Sequence, residues 1–139
     1  MVLTGSCFCG TIQFTIKADP VAAFRCHCLD CRKISGSTNS TNLIVPVPLF
    51  STTSGNLKMF SKTGPSGSSA TNFFCGDCGV TIYRHGPATP DVYYVKSGTL
   101  DDEGALKGLC KPQMELFAKR RIPWVPLIDG AEVKQELLK

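Results

Sequence analysis

Cys7-Phe8-Cys9-Gly10-Thr11-Ile12-Gln13-Phe14-Thr15-Ile16 opens the chain, and Cys75-Gly76-Asp77-Cys78-Gly79-Val80-Thr81-Ile82-Tyr83 has the same plan. In each, two thiols are followed at once by glycine and then by a short hydrophobic run. A backbone that wraps its N–H groups around metal-bound sulfur needs a tight turn, and glycine adopts the positive φ such turns require. Both stretches therefore read as metal knuckles. The runs Thr11–Ile16 and Val80–Tyr83 are the strands that would pin each knuckle to a sheet.

Between them lies a third group, Cys26-His27-Cys28-Leu29-Asp30-Cys31, so seven of the eight cysteines fall into three clusters. Zinc takes thiolates tetrahedrally, and paired C-x-x-C ligands are its usual donors. Two pairs, Cys7 with Cys9 and Cys75 with Cys78, make a closed four-thiolate site, which is structural. The group of three, Cys26, Cys28 and Cys31, leaves a fourth position open, as in a catalytic or ligand-exchanging zinc. Cys110 is the candidate to close that position; the plainer reading of it is a small buried residue or a free thiol.

The chain has 139 residues, 42% hydrophobic and 19% charged, the size and composition of one globular domain covering residues 1–139. Its N-terminus has no basic and apolar segments of the signal-peptide kind. Its apolar stretches, such as Leu43–Val47, are too short to span a bilayer. The expected location is cytoplasmic, where clustered cysteines favour metal over disulfide. The formal charge is +4. Seven thiolates and two divalent ions would bring it to about +1, which gives little support to nucleic-acid binding. The basic run Lys119-Arg120-Arg121 reads as a solvated strand end. Neither a membrane nor a nucleic-acid partner is expected.

Short β-branched or aromatic segments bounded by Gly, Pro, Ser or Asp dominate. Strands are expected over Gly10–Lys17, Leu43–Pro46, Leu57–Phe60, Asn72–Phe74, Val80–Arg84, Val92–Ser97, Gln113–Phe117 and Val125–Leu127. Turn clusters lie at Thr52–Asn56 and Lys62–Ser69. A short helix is expected from Leu29 through Lys33 and another over Ala131–Leu138. The prediction is a mainly β domain stapled by metal.

Gly5-Ser6-Cys7-Phe8-Cys9-Gly10, Cys26-His27-Cys28-Leu29-Asp30-Cys31-Arg32-Lys33, Phe74-Cys75-Gly76-Asp77-Cys78-Gly79, Gly98-Thr99-Leu100-Asp101-Asp102 and Pro123-Trp124 occur in that order. This combination resembles the family of glutathione-dependent formaldehyde-activating enzyme and centromere protein V, over roughly Leu3 to Gly130. The resemblance implies an Mss4-like fold of antiparallel β-sheets around two zinc sites. One joins Cys7, Cys9, Cys75 and Cys78. The other is held by Cys26, Cys28 and Cys31 with an exchangeable fourth position. It also implies glutathione, formaldehyde and their adduct as a substrate class. A departure is Glu115, which stands where many members carry a histidine.

Arg32 and Lys33 follow the last ligand of the open site. They would balance its thiolate charge or hold the carboxylates of a glutathione-like ligand; the plain alternative is a solvated helix face. His27 sits between two ligands, and its side chain is expected on the other side of the chain, at the surface or behind the site. His85 reads as a turn residue. Trp124, the one tryptophan, reads as a core anchor, or else as an aromatic pocket wall. The leading functional expectation is a zinc-dependent carbon–sulfur lyase acting on glutathione or a glutathione adduct of a small aldehyde or electrophile, with two zinc ions per chain. The alternative is a non-catalytic zinc module for a protein partner.

Overall fold

The computed structural model describes residues 2–64 and 67–137. Eleven strands lie among them: β1 (Leu3–Ser6), β2 (Gln13–Ile16), β3 (Ala22–Cys26), β4 (Ser40–Pro46), β5 (Phe50–Ser54), β6 (Leu57–Thr63), β7 (Ser69–Cys75), β8 (Thr81–His85), β9 (Val92–Lys96), β10 (Met114–Leu116) and β11 (Glu132–Val133). Two short helices join them, α1 (Leu29–Ser35) and α2 (Glu103–Lys107). The strands form a three-stranded sheet, β1-β2-β5, and an eight-stranded sheet, β11-β10-β3-β4-β9-β8-β7-β6. The mainly β, Mss4-like architecture is as expected, with one difference. Most pairings are antiparallel, but β10 runs parallel to both β3 and β11.

Alternation along the strands gives the large sheet two unlike faces. On one, Leu43 and Val45 of β4, Val95 of β9 and Tyr83 of β8 pack against Leu3, Phe14 and Ile16 of the small sheet. Phe50 of β5 adds aromatic contacts to Phe14 and Tyr83, with ring centroids 5.1 and 5.0 Å apart. This main core also holds Cys7, Cys75 and Cys110. On the other face, Phe24 and Cys26 of β3 and Leu116 of β10 cluster with Cys31 of α1, backed by Ile44, Tyr94 and Phe117. The three-cysteine group thus has its own small core, separated from the main one by the sheet.

Several expected segments need correction. Val125–Leu127 is a loop that carries no strand. The helix expected over Ala131–Leu138 is absent from its described part: the chain instead forms β11 at Glu132–Val133, then bends, while Leu138 lies outside the described residues. The amides of Glu132 and Lys134 donate to the carbonyls of Gln113 and Glu115 at 2.8 Å each, so β10 takes the backbone groups a helix would need. An isolated helix that short is marginal in water in any case. Strands β1, β3 and β5 and helix α2 were not expected from local pattern. Trp124 is 75% exposed and anchors no core; its neighbour Val125 is the buried residue there. The expected helix near Leu29 is present and extends to Ser35.

Candidate metal centres

The two knuckles form as their sequences imply. Gly10 and Gly79 both have φ of +81°, and a Cβ at either would meet nothing within 4 Å, so glycine is needed for its backbone freedom alone. One backbone bond recurs in both turns. Cys7 N–H donates to Ile12 O at 3.1 Å, and Cys75 N–H to Val80 O at 2.9 Å. Backbone N–H groups also reach sulfur: Ile12 to Cys7 at 3.2 Å, Asp77 to Cys75 at 3.4 Å.

These turns bring Cys7, Cys9, Cys75 and Cys78 together, with their four sulfurs within 4.8 Å of one another. Cys7 and Cys9 sulfurs are 3.6 Å apart, and Cys9 and Cys75 sulfurs 3.7 Å apart. A tetrahedral site with metal–sulfur bonds of about 2.3 Å has edges of about 3.8 Å. The cluster fits a thiolate-binding metal such as zinc. The backbone N–H groups of Val80 and Cys9 draw the Cys78 thiol down to about 6, favouring the ligand form.

The second cluster is Cys26, Cys28 and Cys31, again with sulfurs within 4.8 Å of one another. Cys26 ends β3, and Cys28 caps α1, its sulfur accepting the Cys31 N–H at 3.3 Å. The short loop and first helical turn therefore fix all three thiols. Cys110 takes no part: it is buried in the main core near Ala105, on the far side of the sheet. Among the described residues this cluster offers three protein donors.

Hydrogen bonds from Cys26 and Cys28 hold the Cys31 thiol far below the ordinary thiol range despite its burial; the ammonium of Lys96 and the hydroxyl of Ser40 act in the same direction. Cys26 is pushed up by the same two neighbours and by burial. Lys96 thus stands close to the cluster. That lysine was not anticipated. Its Nζ donates to Asn42 Oδ1 at 2.7 Å, and burial lowers its pKa while Cys31 raises it. Asn42 pairs with Lys96 across β4 and β9, so the sheet register sets the position. An open cleft of about 600 Å³ lies beside it, lined by Lys96, Ser40, Thr81 and Gly98 and reaching Cys78 and Gly79.

Arg32 and Lys33 stand in the last turn of α1, Arg32 half-buried and Lys33 exposed. His27 is buried, and its Nε2 reaches Glu115 Oε1 at 2.7 Å, which leaves Nδ1 without a partner among the described residues. Glu115 is fully enclosed between β3 and the loop after β10. It accepts from Arg25 Nε and Nη2 at 2.6 and 2.9 Å and from the Ile128 amide at 2.7 Å. Met114 and Leu116 on either side of it face the three-cysteine core, so Glu115 itself points to the opposite face. It braces the strand that carries Cys26. Phe117 is the one non-glycine residue with positive φ among those described, at +53°, and its ring packs on the cysteine core. Such a conformation is rare for an aromatic residue and is held here by the Phe117 and Ala118 amides, which donate to Glu136 and Lys134 carbonyls.

Fold and site together define a mainly β protein with two cysteine clusters able to hold metal, one of four donors and one of three. The family model described as "Glutathione-dependent formaldehyde-activating enzyme" matches residues 2–120. The chain belongs to that family. It is 23% identical to the "Putative glutathione-dependent formaldehyde-activating enzyme" of Halomonas elongata over 137 residues, covering 91% of this chain and 82% of that one. A solved structure of a Rhodobacter sphaeroides protein shares the fold, with TM-score 0.58 and 22% identity over 70% of this chain and 87% of that one.

Proposed function

We propose that this chain works as one zinc-binding domain whose four-thiolate centre is structural and whose three-thiolate centre is catalytic. The reaction is making or breaking the carbon–sulfur bond between glutathione and a small aldehyde or related electrophile. The observation that carries the reading is the three-donor cluster, with Cys110 packed on the other side of the sheet. Zinc held by three thiolates supplies a coordination position at which a thiol ionises near neutral pH, and modest Lewis acidity.

The residues around the cluster supply the rest. Lys96 balances thiolate charge from the sheet side, and Ser40 donates toward Cys31. Arg25, Glu115 and His27 hold β3 and β10 in register, so Cys26 keeps its place. Arg32 and Lys33, in the last turn of α1, would add further positive charge. In the bond-forming direction the thiol sulfur bonds to the carbonyl carbon, and the thiol proton goes to the carbonyl oxygen. The reverse reaction breaks the same carbon–sulfur bond and returns that proton, with no change in oxidation state.

The test is turnover of a glutathione–aldehyde adduct by the zinc-loaded protein and by Cys28→Ser. The variant is expected to lose turnover while keeping the four-cysteine centre loaded. Equal turnover in both would refute the reading.

A further inference from the structure

Arg84 and Lys96 share the face of the large sheet that carries the three-cysteine core. The register fixes this: Arg84 pairs with Tyr94 and Asn72, and Lys96 with Asn42, whose other neighbour across the sheet is Phe24. Arg84 stands opposite Tyr94, two residues from Lys96 on the same face of β9. Two like charges gathered on one largely buried surface cost free energy unless anions accompany them.

The anions present leave Arg84 under-served. Lys96 has a partner: its Nζ donates to Asn42 Oδ1 at 2.7 Å. Arg84 has Asp30, whose Oδ2 lies 3.6 Å from Nη2, beyond hydrogen-bond reach, while its Oδ1 is taken by Lys62 at 3.2 Å. The Asp30 side chain is 40% exposed and that of Arg84 only 16%. Nε of Arg84 is buried without a partner among the described residues, and so is Oδ1 of the adjacent Asn72. Arg25 shows the contrast: its guanidinium is forked on Glu115 by two bonds of 2.6 and 2.9 Å. A guanidinium is built for such a planar, two-pronged carboxylate contact. Arg84 lacks one, and it shares the sheet face that carries Cys26, Cys28 and Cys31.

We propose that Arg84, with Lys96 beside it, seats a carboxylate of the substrate, and that Asp30 occupies the seat loosely until the substrate displaces it. The inference rests on the glutathione reading above and assigns the specificity to two residues that lie outside the cysteine motifs. A substrate bearing a carboxylate within reach of its sulfur is then selected over a neutral thiol of the same size.

Calorimetry on the zinc-loaded protein tests this with glutathione, S-methylglutathione and the diethyl ester of S-methylglutathione. S-methylglutathione keeps both carboxylates and has no free thiol, so it reports on the seat. Wild type should bind it at least about 10-fold more tightly than its ester, which lacks both carboxylates, and the Arg84 contact should account for about 10- to 100-fold, the worth of one charged hydrogen-bonded contact. Arg84→Gln should lose that factor toward the free acid and nothing toward the ester. Arg84→Lys should recover part of it, and Asp30→Asn should bind the acid more tightly than wild type, because the competing carboxylate is gone. Metal content and melting temperature are measured for each variant, and Asp30→Asn decides the matter if Arg84→Gln does not fold. Equal affinity of wild type for acid and ester overturns the seat, as does unaltered acid binding by a folded Arg84→Gln, unaltered acid binding by Asp30→Asn, or no binding of S-methylglutathione. Failure of the thiol reading looks different: glutathione then binds no more tightly than S-methylglutathione, while the Arg84 effect persists.

Discussion

Arg25 and Glu115 stand opposite each other in the parallel pairing of β3 with β10, and the Glu115 carboxylate takes both N–H prongs of the guanidinium at 2.6 and 2.9 Å. His27 and the Ile128 amide complete four hydrogen bonds to one buried carboxylate. This cluster ties together the strand ending in Cys26, the strand that ends just before Phe117 and the loop that follows.

Glu115→Gln should therefore destabilise the protein by about 3 kcal/mol, because it leaves the Arg25 charge without its counter-ion. Burial raises the Glu115 carboxyl, but the hydrogen bonds from Arg25, His27 and Ile128 outweigh it and hold the pKa below the ordinary value of 4.5. A folded-state pKa below the unfolded one contributes stability that is complete above the unfolded value. That contribution is lost as pH falls through the lower, folded value. Denaturant titrations from pH 7 down to pH 3 should show wild type losing its advantage over Glu115→Gln below about pH 4.5. A constant difference across that range would remove Glu115 from the acid response.

The two cysteine clusters should respond differently to losing a donor. Cys78→Ser is expected to abolish folding, since structural zinc contributes on the order of 10 kcal/mol in small domains. Cys28→Ser should stay folded and bind one equivalent of zinc fewer. Circular dichroism with metal analysis checks both. A folded Cys78→Ser protein with full zinc would contradict the assignment of the four-cysteine centre as structural.

A mild chelator should strip the three-donor cluster first, because that site has one protein ligand fewer and Cys28 is half-exposed. The expected record is biphasic zinc release with the fold retained through the first phase. Simultaneous release with a single unfolding step would show that the centres are not distinct.

Gly79→Ala and Gly10→Ala isolate the conformational role of the knuckle turns. Both positions have φ of +81° with open space around the missing Cβ. Each substitution should cost about 1–2 kcal/mol, from backbone strain and not from collision. Asparagine, which tolerates the left-handed region better, should cost less than alanine at both sites. Equal melting of alanine and wild-type proteins would show that the turns relax.

Trp124 provides a fluorescence check on the fold. It is the one tryptophan of the chain and is 75% exposed. Its emission should lie near that of tryptophan in water and be quenched readily by acrylamide. Trp124→Ala should change stability by less than about 0.5 kcal/mol. A blue-shifted, protected emission would restore the core role that its aromatic character suggests.

The sequence by itself determined the parts whose physics is local. Two thiols followed by glycine specify a turn that aims N–H groups at sulfur, so the knuckles at Cys7–Gly10 and Cys75–Gly79 were legible, as were the spacing of Cys26, Cys28 and Cys31 and the start of α1. The strand Gln13–Ile16 was legible too, because a half-buried strand writes its burial into every second residue, and Val92–Lys96 was legible from its β-branched and aromatic content. Tertiary structure decided what depends on residues distant in sequence. Glu115 meets Arg25 through strand register, while Lys96 meets Cys31 and Arg84 meets Asp30 through the packing of α1 on the sheet, and no local pattern encodes which distant side chains will be opposed. The same holds for β11, whose Glu132 and Lys134 amides find carbonyls on β10. Long-range pairing there overrode a weak helical preference, and the tertiary packing leaves Trp124 in solvent while Val125 takes the buried position.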